Sequence, residues 1–588
     1  MSVDAACSRE VVLPETELPD TGSLVDEGRR MAKDWTVGRS AFLDYYKVPD
    51  EFTYKSMQSS SGRIMRHAHM GFREKQKSLD AFRTLFDSTN SKGDPLDRIG
   101  LCLDWSMGYP RSVRAGKLRG TGLILDDIDS FCDVTNAAPV AAHFGDFLLG
   151  FPAALENTQA ALSAGSTVIG NLGQYFTFRL PEGTDDVCST TETLKAIVLM
   201  SSQPQTVMVH SNLDDGFAGV FEDAACVMGA ALLEKYIVED LLGGCVTHCY
   251  GHHHSTPLLR LASQRALARI NDNPGSMVYG NTTSYLGSNA ENYAALGRYL
   301  SIDIAAQFLQ PSGHAINPVP VTENQRIPDL EEIIDAQSFA QRMCDRADEY
   351  ARMFDLSVVD PVTDNLVRGG QLFFEAVRHG FSEAGIDTSN PVEMMLAIRR
   401  IGGKRLESLF GPDRNQRHDE LPGYHPVPSD STREIDAQIC SQFELLKNQS
   451  DAVCDWKQLT LITATTDVHE HAKRVLDGVM LKFGVRVIDG GISADPVGLA
   501  ALAEKTQADA VALSTYNGVA LHYYSTLSDE LEERGLTVPV LIGGQLNQIP
   551  EDSDDSLPVD VSSELTEQGA VVCHSMVDML PALERLMN

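Results

Sequence analysis

Long hydrophobic runs are missing. No stretch of about 18 apolar residues occurs in the 588-residue chain, so no membrane-spanning helix is expected. Positive charge is scarce: 48 Lys and Arg stand against 82 Asp and Glu, a formal net charge of −34. Such a surface repels phosphate backbones and anionic lipid, so neither nucleic acid nor a membrane is an expected partner. The 11 cysteines are scattered and form no small disulfide scaffold, which points to reduced thiols and a cytoplasmic location. The first residues, Ser2 to Asp26, lack the basic-then-apolar order of a secretion signal. Internal repeats and low-complexity tracts are also wanting.

What is there is enough apolar sequence, 43%, for ordinary globular cores, spread over a length that calls for two or three domains. The clearest stretch lies near the C-terminus. An apolar run, Leu459 to Ala464, ends at Thr465–Thr466 and delivers Asp467–Val468–His469–Glu470. A helical-period segment follows (Ala472, Val475, Leu476, Val479, Met480, Phe483), then a second strand, Val485 to Ile488, closing on Gly490–Gly491. Further strand-like runs end in Ser514–Thr515–Tyr516 and in Gly543–Gly544–Gln545, and Ala570 to Cys573 supplies a fifth. Alternating strands and helices predict a parallel sheet, with ligands beyond the carboxyl ends of its strands. Asp467 stands two residues before His469, where a carboxylate can fix the imidazole tautomer and present the other nitrogen to a metal. His471 is a rival ligand. A flavodoxin-like domain with an incidental loop histidine is the alternative.

The order Asp-x-His, Ser loop, Gly-Gly resembles the cobalamin-binding domain of B12-dependent mutases and methionine synthase. The resemblance implies that His469 binds cobalt from below. It also implies that Thr466, Asp467, Val468, Glu470, Ser514, Thr515, Tyr516, Gly543, Gly544 and Gln545 line the cofactor's slot. The family's glycine three residues after the histidine is Ala472 here.

From Arg98 to Glu323 one theme recurs, a short apolar run ending in polar residues and followed by helix-like sequence. Eight runs carry it: Ile99 to Trp105, Gly122 to Leu125 (or Phe131 to Val134), Pro139 to His143, Thr167 to Ile169, Thr206 to His210, Cys245 to His248, Met277 to Tyr279 and Ile304 to Leu309. Eight strand–helix units predict a TIM barrel, (β/α)8, with a polar pocket at the carboxyl ends. Candidates for that pocket are Arg111, Arg114, His143, Asn171, His210, His248, His252, Asn281 and His314. The segment from Cys245 to His254 is dense in thiols and imidazoles. It lacks the paired spacing of a structural zinc site, and imidazoles facing a substrate or, equally, an ordinary solvated loop are stronger readings.

Residues 65–410 resemble the barrel chain of glutamate mutase (methylaspartate mutase), through Tyr109–Pro110–Arg111–Ser112–Val113–Arg114, Ala141 to Asp146, Tyr250–Gly251–His252 and Gly313–His314–Ala315–Ile316. The implied architecture is an N-terminal extension (1–64), a TIM-barrel substrate domain with appended helices (65–410), a Pro-rich linker (411–450) and a flavodoxin-like, five-stranded cobalamin domain (451–588). The implied activity is an isomerase reaction, a carbon-skeleton rearrangement by radicals from adenosylcobalamin. Arg111 and Arg114 would hold a small anionic substrate, with His143, Asn171, His252 and His314 as donors or proton carriers. The family's third arginine falls on Ala142, and its amine-handling glutamate falls near Asn171 or Leu172. A tyrosine falls on Phe178, and two residues that hold the adenosyl ribose fall on Gln310 and His314. A substrate other than glutamate is therefore expected. Cobalamin chemistry without an adenosyl radical, such as methyl transfer, is the alternative, followed by a cobalamin sensor or carrier. A homodimer is expected.

Overall fold

The computed structural model describes residues 7–117, 119–180, 183, 185–285, 287–412, 424–449, 455–466, 470–492, 494–516, 518–548 and 559–587. The chain forms two compact units, each with its own core. The larger comprises Met1–Lys117, Gly122–Thr177 and Thr184–Ser431; the smaller comprises Leu118–Thr121, Phe178–Gly183 and Thr432–Asn588. Among the described residues, no helix is long and apolar enough to cross a membrane.

The larger unit is built on eight short strands: β1 (His67–Met70), β2 (Arg98–Leu101), β3 (Ala141–His143), β4 (Val168–Ile169), β5 (Met208–Asn212), β6 (Val246–Cys249), β7 (Met277–Val278) and β8 (Ala315–Ile316). β1 to β3, β4 to β6 and β7 with β8 pair in parallel. Single parallel bridges join the three groups: Phe144 to Ile169, Tyr250 to Val278, and Arg66 to Ile316. The pairing thus runs from β1 to β8 and returns to β1. Helices fill every connection, and nearly every strand residue is buried, as expected of strands covered on both sides. Local signals set the helix starts. Ser288 with Glu291 and Asp329 with Glu332 form capping boxes, and Asn390 caps a helix that begins at Pro391.

Two of the eight expected strands are corrected. Ile304 to Leu309 lies inside the helix Asn289–Leu309, and β8 follows it. That run is apolar all round because the helix is buried, and periodicity alone does not separate a short buried helix segment from a strand. Gly122 to Leu125 contributes only a bridge from Leu123 to Leu103, while Phe131 to Val134 belongs to the helix Ile128–Thr135. The strand missed at the start is β1, His67–Ala68–His69–Met70, whose alternate residues are imidazoles.

Residues ahead of β1 belong to this unit too. The helix Glu51–Ser60 sends Lys55 to the amino end of the strands, where its ammonium donates to the carbonyls of Gly275, Ser276 and Gly313, each at 2.9 Å. Glu51 pairs with Arg98 at 2.6 Å. Burial depresses Lys55 to about 7.

In the smaller unit, β9 (Thr460–Thr465), β10 (Arg486–Gly491), β11 (Ala510–Thr515), β12 (Val540–Gly544) and β15 (Val571–Cys573) form a five-stranded parallel sheet in the order β10-β9-β11-β12-β15. A short antiparallel pair, β13 (Asn547–Gln548) and β14 (Val559–Asp560), precedes the last strand. Successive strand residues face opposite layers. Ile462, Ala464, Val511, Leu513 and Ile542 pack with the helices Pro496–Thr506 and Ala520–Glu533. Leu461, Ala510, Ala512 and Leu541 pack with the helices His471–Phe483 and Leu580–Met587. A sheet covered on both faces reads as continuous apolar runs, which is why these strands stand out in the sequence.

Candidate functional site

Each unit places polar groups at the carboxyl ends of its strands. In the larger unit a cavity of about 190 Å³ is lined by His69, His143, Gly145, Asp146, Asn171, His210, Asn212, Asp215, His252, Met277 and Tyr279. All lie on or just after β1, β3, β4, β5, β6 and β7. Of the six residues proposed to act in the barrel, His143, Asn171 and His252 meet here. His69, Asp146, His210, Asn212, Asp215 and Tyr279 complete the wall. Of these, His210 stood among the sequence candidates for the pocket; His69 and the carboxylates did not.

Three of the imidazoles, His69, His143 and His210, are held neutral. Burial pushes His143 and His210 well below the usual histidine range; His210 then Arg98 add to the effect at His143, and Arg98 then His248 at His210. Burial, with Arg98, lowers His69 to about 4. The rings of His143 and His210 meet edge to face, 4.3 Å between centroids. The Arg98 guanidinium lies 3.1 Å from His143 Nδ1 and has only donors, so a neutral His143 accepts there and carries its proton on Nε2. Asn171 bridges neighbouring strand ends: its Oδ1 accepts from Asn212 N at 2.9 Å and its Nδ2 donates to Asp215 at 2.7 Å. His252 is fixed by its backbone N–H to Asp214 at 2.8 Å and by Thr282 Oγ1 3.0 Å from Nδ1. The carboxyls behave oppositely to the imidazoles. Burial, then repulsion from Asp215, raises Asp146 to about 7; burial, then repulsion from Asp214, raises Asp215 to about 6.

The remaining barrel candidates lie elsewhere. Arg114 is buried, and its guanidinium donates to the carbonyls of Met107, Tyr109 and Leu125 and to Asn157, so it pins a loop instead of facing the cavity. Arg111 is exposed, with its backbone N–H donated to Glu156 at 2.6 Å. His314 precedes β8 and so sits at the amino end, buried, with Nδ1 2.8 Å from Ser312 Oγ. Its expected place at a carboxyl end followed from taking residues 304–309 as the strand. His248 turns to the helix layer, toward Glu234 at 3.1 Å and Asn271 at 3.0 Å. Asn281 supports the His252 loop by donating to the His252 carbonyl at 3.1 Å. Among the described residues, no group of three or more His, Cys, Asp or Glu side chains is arranged to hold a metal ion.

In the smaller unit, Asp467, Val468 and His469 fall outside the described residues, and the ends around them are clear. The strand order changes direction between β9 and β11, and loops leaving two such strands diverge to open a crevice. Thr466 N–H donates to Ser514 O at 2.9 Å, tying the carboxyl end of β9 to that of β11. Gln545 N–H donates to Thr515 O at 2.8 Å, joining the third loop to the second. Gly544 has φ of +101°, and a Cβ there would lie 2.2 Å from Thr515 O. Only glycine lets these backbones approach so closely. Thr515 is 2% exposed and its Oγ1 has no hydrogen-bond partner, a buried polar atom left for a ligand to satisfy. Tyr516 is 53% exposed at the rim. Glu470 lies 3.7 Å from Arg474. The rival His471 opens the next helix with Nε2 3.0 Å from Gln438 Oε1.

Comparison with known proteins bears on this second edge. Residues 457–565 match the family described as the B12 binding domain. A solved structure, described as a novel cobalamin-binding protein from Desulfitobacterium hafniense, is similar at 17% identity; the similarity covers 36% of this chain and 90% of that one, with a TM-score of 0.20. No curated protein matches the chain. A B12-binding domain therefore occupies the five-stranded unit. The carboxyl edge fits cobalamin: a glycine cradle, an unsatisfied buried hydroxyl and an open switch point suit a long polar ligand tail.

Proposed function

We propose that the chain is an adenosylcobalamin-dependent radical mutase resembling glutamate mutase, acting on a substrate other than glutamate. The B12-binding domain at residues 457–565 is the observation that carries this reading. The closed order of eight parallel strands supports a (β/α)8 barrel in the larger unit, and the polar cavity at its carboxyl ends supports that unit as the substrate domain. Thr466, Ser514, Thr515, Tyr516, Gly543, Gly544 and Gln545 would hold the cofactor's tail, and the resemblance would add Asp467, Val468, His469 and Glu470, with His469 as the cobalt ligand. When bound, adenosylcobalamin supplies a weak cobalt–carbon bond that yields a carbon radical for hydrogen abstraction. The chain's own part is to orient the substrate and keep water out, because a radical quenched by solvent is lost. His143 donates from Nε2, Asn171 and Asn212 set the spacing of the wall, and His252 and Tyr279 close it. Asp146 and Asp215 hold or accept protons near neutrality.

A second reading, cobalamin chemistry without an adenosyl radical, has one observation in its favour. His314, a position the resemblance assigns to the adenosyl ribose, is buried at the amino end of β8.

Two measurements test these readings. The upper ligand of cobalamin retained by purified full-length protein separates them: an adenosyl group supports the mutase, a methyl group or none supports the alternative. Electron paramagnetic resonance of the Co(II) form with nitrogen-15 protein tests the axial ligand. Histidine hyperfine splitting is expected, to be lost in His469→Ala and kept in His471→Ala. Asp467→Asn should weaken cofactor binding about 10- to 100-fold. A wild-type spectrum showing only the cofactor's own base would sink the assignment of His469.

A further inference from the structure

The cavity of the larger unit is acidic where the expected substrate is anionic. Asp146 and Asp215 both face it, and no lysine or arginine is among its lining residues. The cations beneath are committed elsewhere. Arg98 is tied to Glu51 at 2.6 Å and to Ser276 Oγ at 3.1 Å, and Lys55 is spent on three carbonyls. The donors that reach the two carboxylates are neutral amides: Asn171 to Asp215 at 2.7 Å and Gln174 to Asp146 at 3.4 Å, with Asn212 also bonding Asp215 and Asn171 also bonding Asp146. A carboxylate accepts at about four lone-pair sites, so both retain capacity. Asp214, next in sequence to Asp215, differs: it takes the backbone N–H groups of His252 and His253 and is itself buried. A separate feature of the same wall also asks for a ligand. His210 is 1% exposed, lines the cavity from β5, and its Nδ1 has no partner.

We propose that this cavity takes a compact substrate carrying a protonated amine, with the ammonium held between Asp146 and Asp215 and a second polar group meeting His210. The assignment rests on reading the cavity as the substrate site. An ammonium brings three donors and one positive charge, matching two under-used carboxylates that repel each other. Among the neighbouring imidazoles His69, His143 and His210 cannot play that part, because burial keeps them uncharged at neutral pH. A dicarboxylate would set like charges together with no guanidinium to offset them, and the exclusion of such a ligand follows from the same wall. Arg114, the buried arginine expected to clamp an anion, is bound to carbonyls outside the cavity.

The test compares two four-carbon probes of opposite charge, butane-1,4-diamine and succinate. Saturation-transfer NMR would be run on full-length protein reconstituted with adenosylcobalamin. The diamine should give a saturable signal and succinate none, a preference read on the wild type and so independent of any variant's folding. Asp146→Asn/Asp215→Asn should weaken diamine binding at least tenfold, with folding checked by thermal melting and cofactor retention by absorbance. Succinate binding in place of diamine would overturn the amine assignment while leaving the cavity as a ligand site. Binding of neither probe would overturn both. Diamine binding unchanged in the double variant would also overturn the proposal, since the amine would then sit elsewhere.

Discussion

The two strand edges of this molecule are built from different chemistry. The larger unit's cavity is walled by titratable side chains, four imidazoles and two carboxyls, most of them drawn from strands far apart in sequence and shifted by burial. The smaller unit's edge is walled by backbone, small hydroxyls and glycine, from the ends of three strands adjacent in the sheet, β9, β11 and β12. The first arrangement tunes where protons sit on a small molecule. The second makes room for a large one and meets it with fixed dipoles. The proposed cobalamin chemistry would need both, and the contrast predicts that the two edges fail differently when damaged.

The sharpest break is in the scaffold behind the cavity. Arg260 and Asp303 are fully buried and joined by two N–H···O contacts of 2.7 Å, while Arg260 also donates to the carbonyls of Gly251 and Tyr279. Those carbonyls end β6 and β7, next to His252 and Tyr279 of the wall. Replacing one partner leaves a buried charge alone, so Asp303→Asn should cost about 3–5 kcal/mol of stability. Denaturant midpoints would measure it, with loss of diamine binding as the local readout. Retention of cobalamin by the folded fraction would show that the two edges respond separately. A loss under 1 kcal/mol would mean that the pair is dispensable.

The matching break in the smaller unit is Gly544→Ala. The added Cβ meets a carbonyl 2.2 Å away and the φ of +101° is strained for any other residue. The cost should be about 1–3 kcal/mol, with cobalamin affinity falling alongside and the cavity of the larger unit unaffected. Equilibrium titration of cobalamin absorbance checks the affinity. Wild-type affinity in a folded variant would remove the glycine cradle from the cofactor site.

The same contrast explains what could be read from the chain. The smaller unit's strands, five to six residues long for β9 to β12, show as continuous apolar runs ending in small or polar residues, and all five were legible with their order of loops. Its central motif, Asp467 to His469, lies outside the described residues. The larger unit's strands are two to five residues long, too short for a pattern to exceed the noise of buried helices. β1 hid because its inward residues are His67 and His69, and β8 because it is two residues long. The count of eight came from two false strands replacing two missed ones. Asp146 and Asp215 gave no motif, since a carboxylate after a strand is an ordinary loop residue until the fold brings a second one opposite. The signal that was available was His143–Phe144–Gly145–Asp146, a polar pair with glycine at a strand end.

The smallest expected effect, and the most specific to the cavity, is on the pH dependence of stability. Asp146 and Asp215 have folded values raised to about 7 and about 6, above an ordinary aspartate near 4. The folded protein therefore holds protons that the unfolded chain has released, and the stability they confer is full below about pH 4 and is lost as pH rises through 6 to 7. The groups around them do not reverse the sign. Asp214 adds negative charge; His252 opposes the rise at Asp215 without cancelling it; and His69, His143 and His210 titrate below the range in question. Asp146→Asn and Asp215→Asn should each flatten the fall in melting temperature between pH 5 and pH 8, and the double variant should flatten it most. The effect is modest because Asp215 reaches solvent through the cavity mouth, where screening discounts it. Saturating butane-1,4-diamine should flatten the wild-type profile in the same way, by supplying the countercharge that the wall lacks. A wild-type profile equally steep with and without the diamine would separate the acid pair from the ligand and leave it as a feature of the larger unit's strand ends alone.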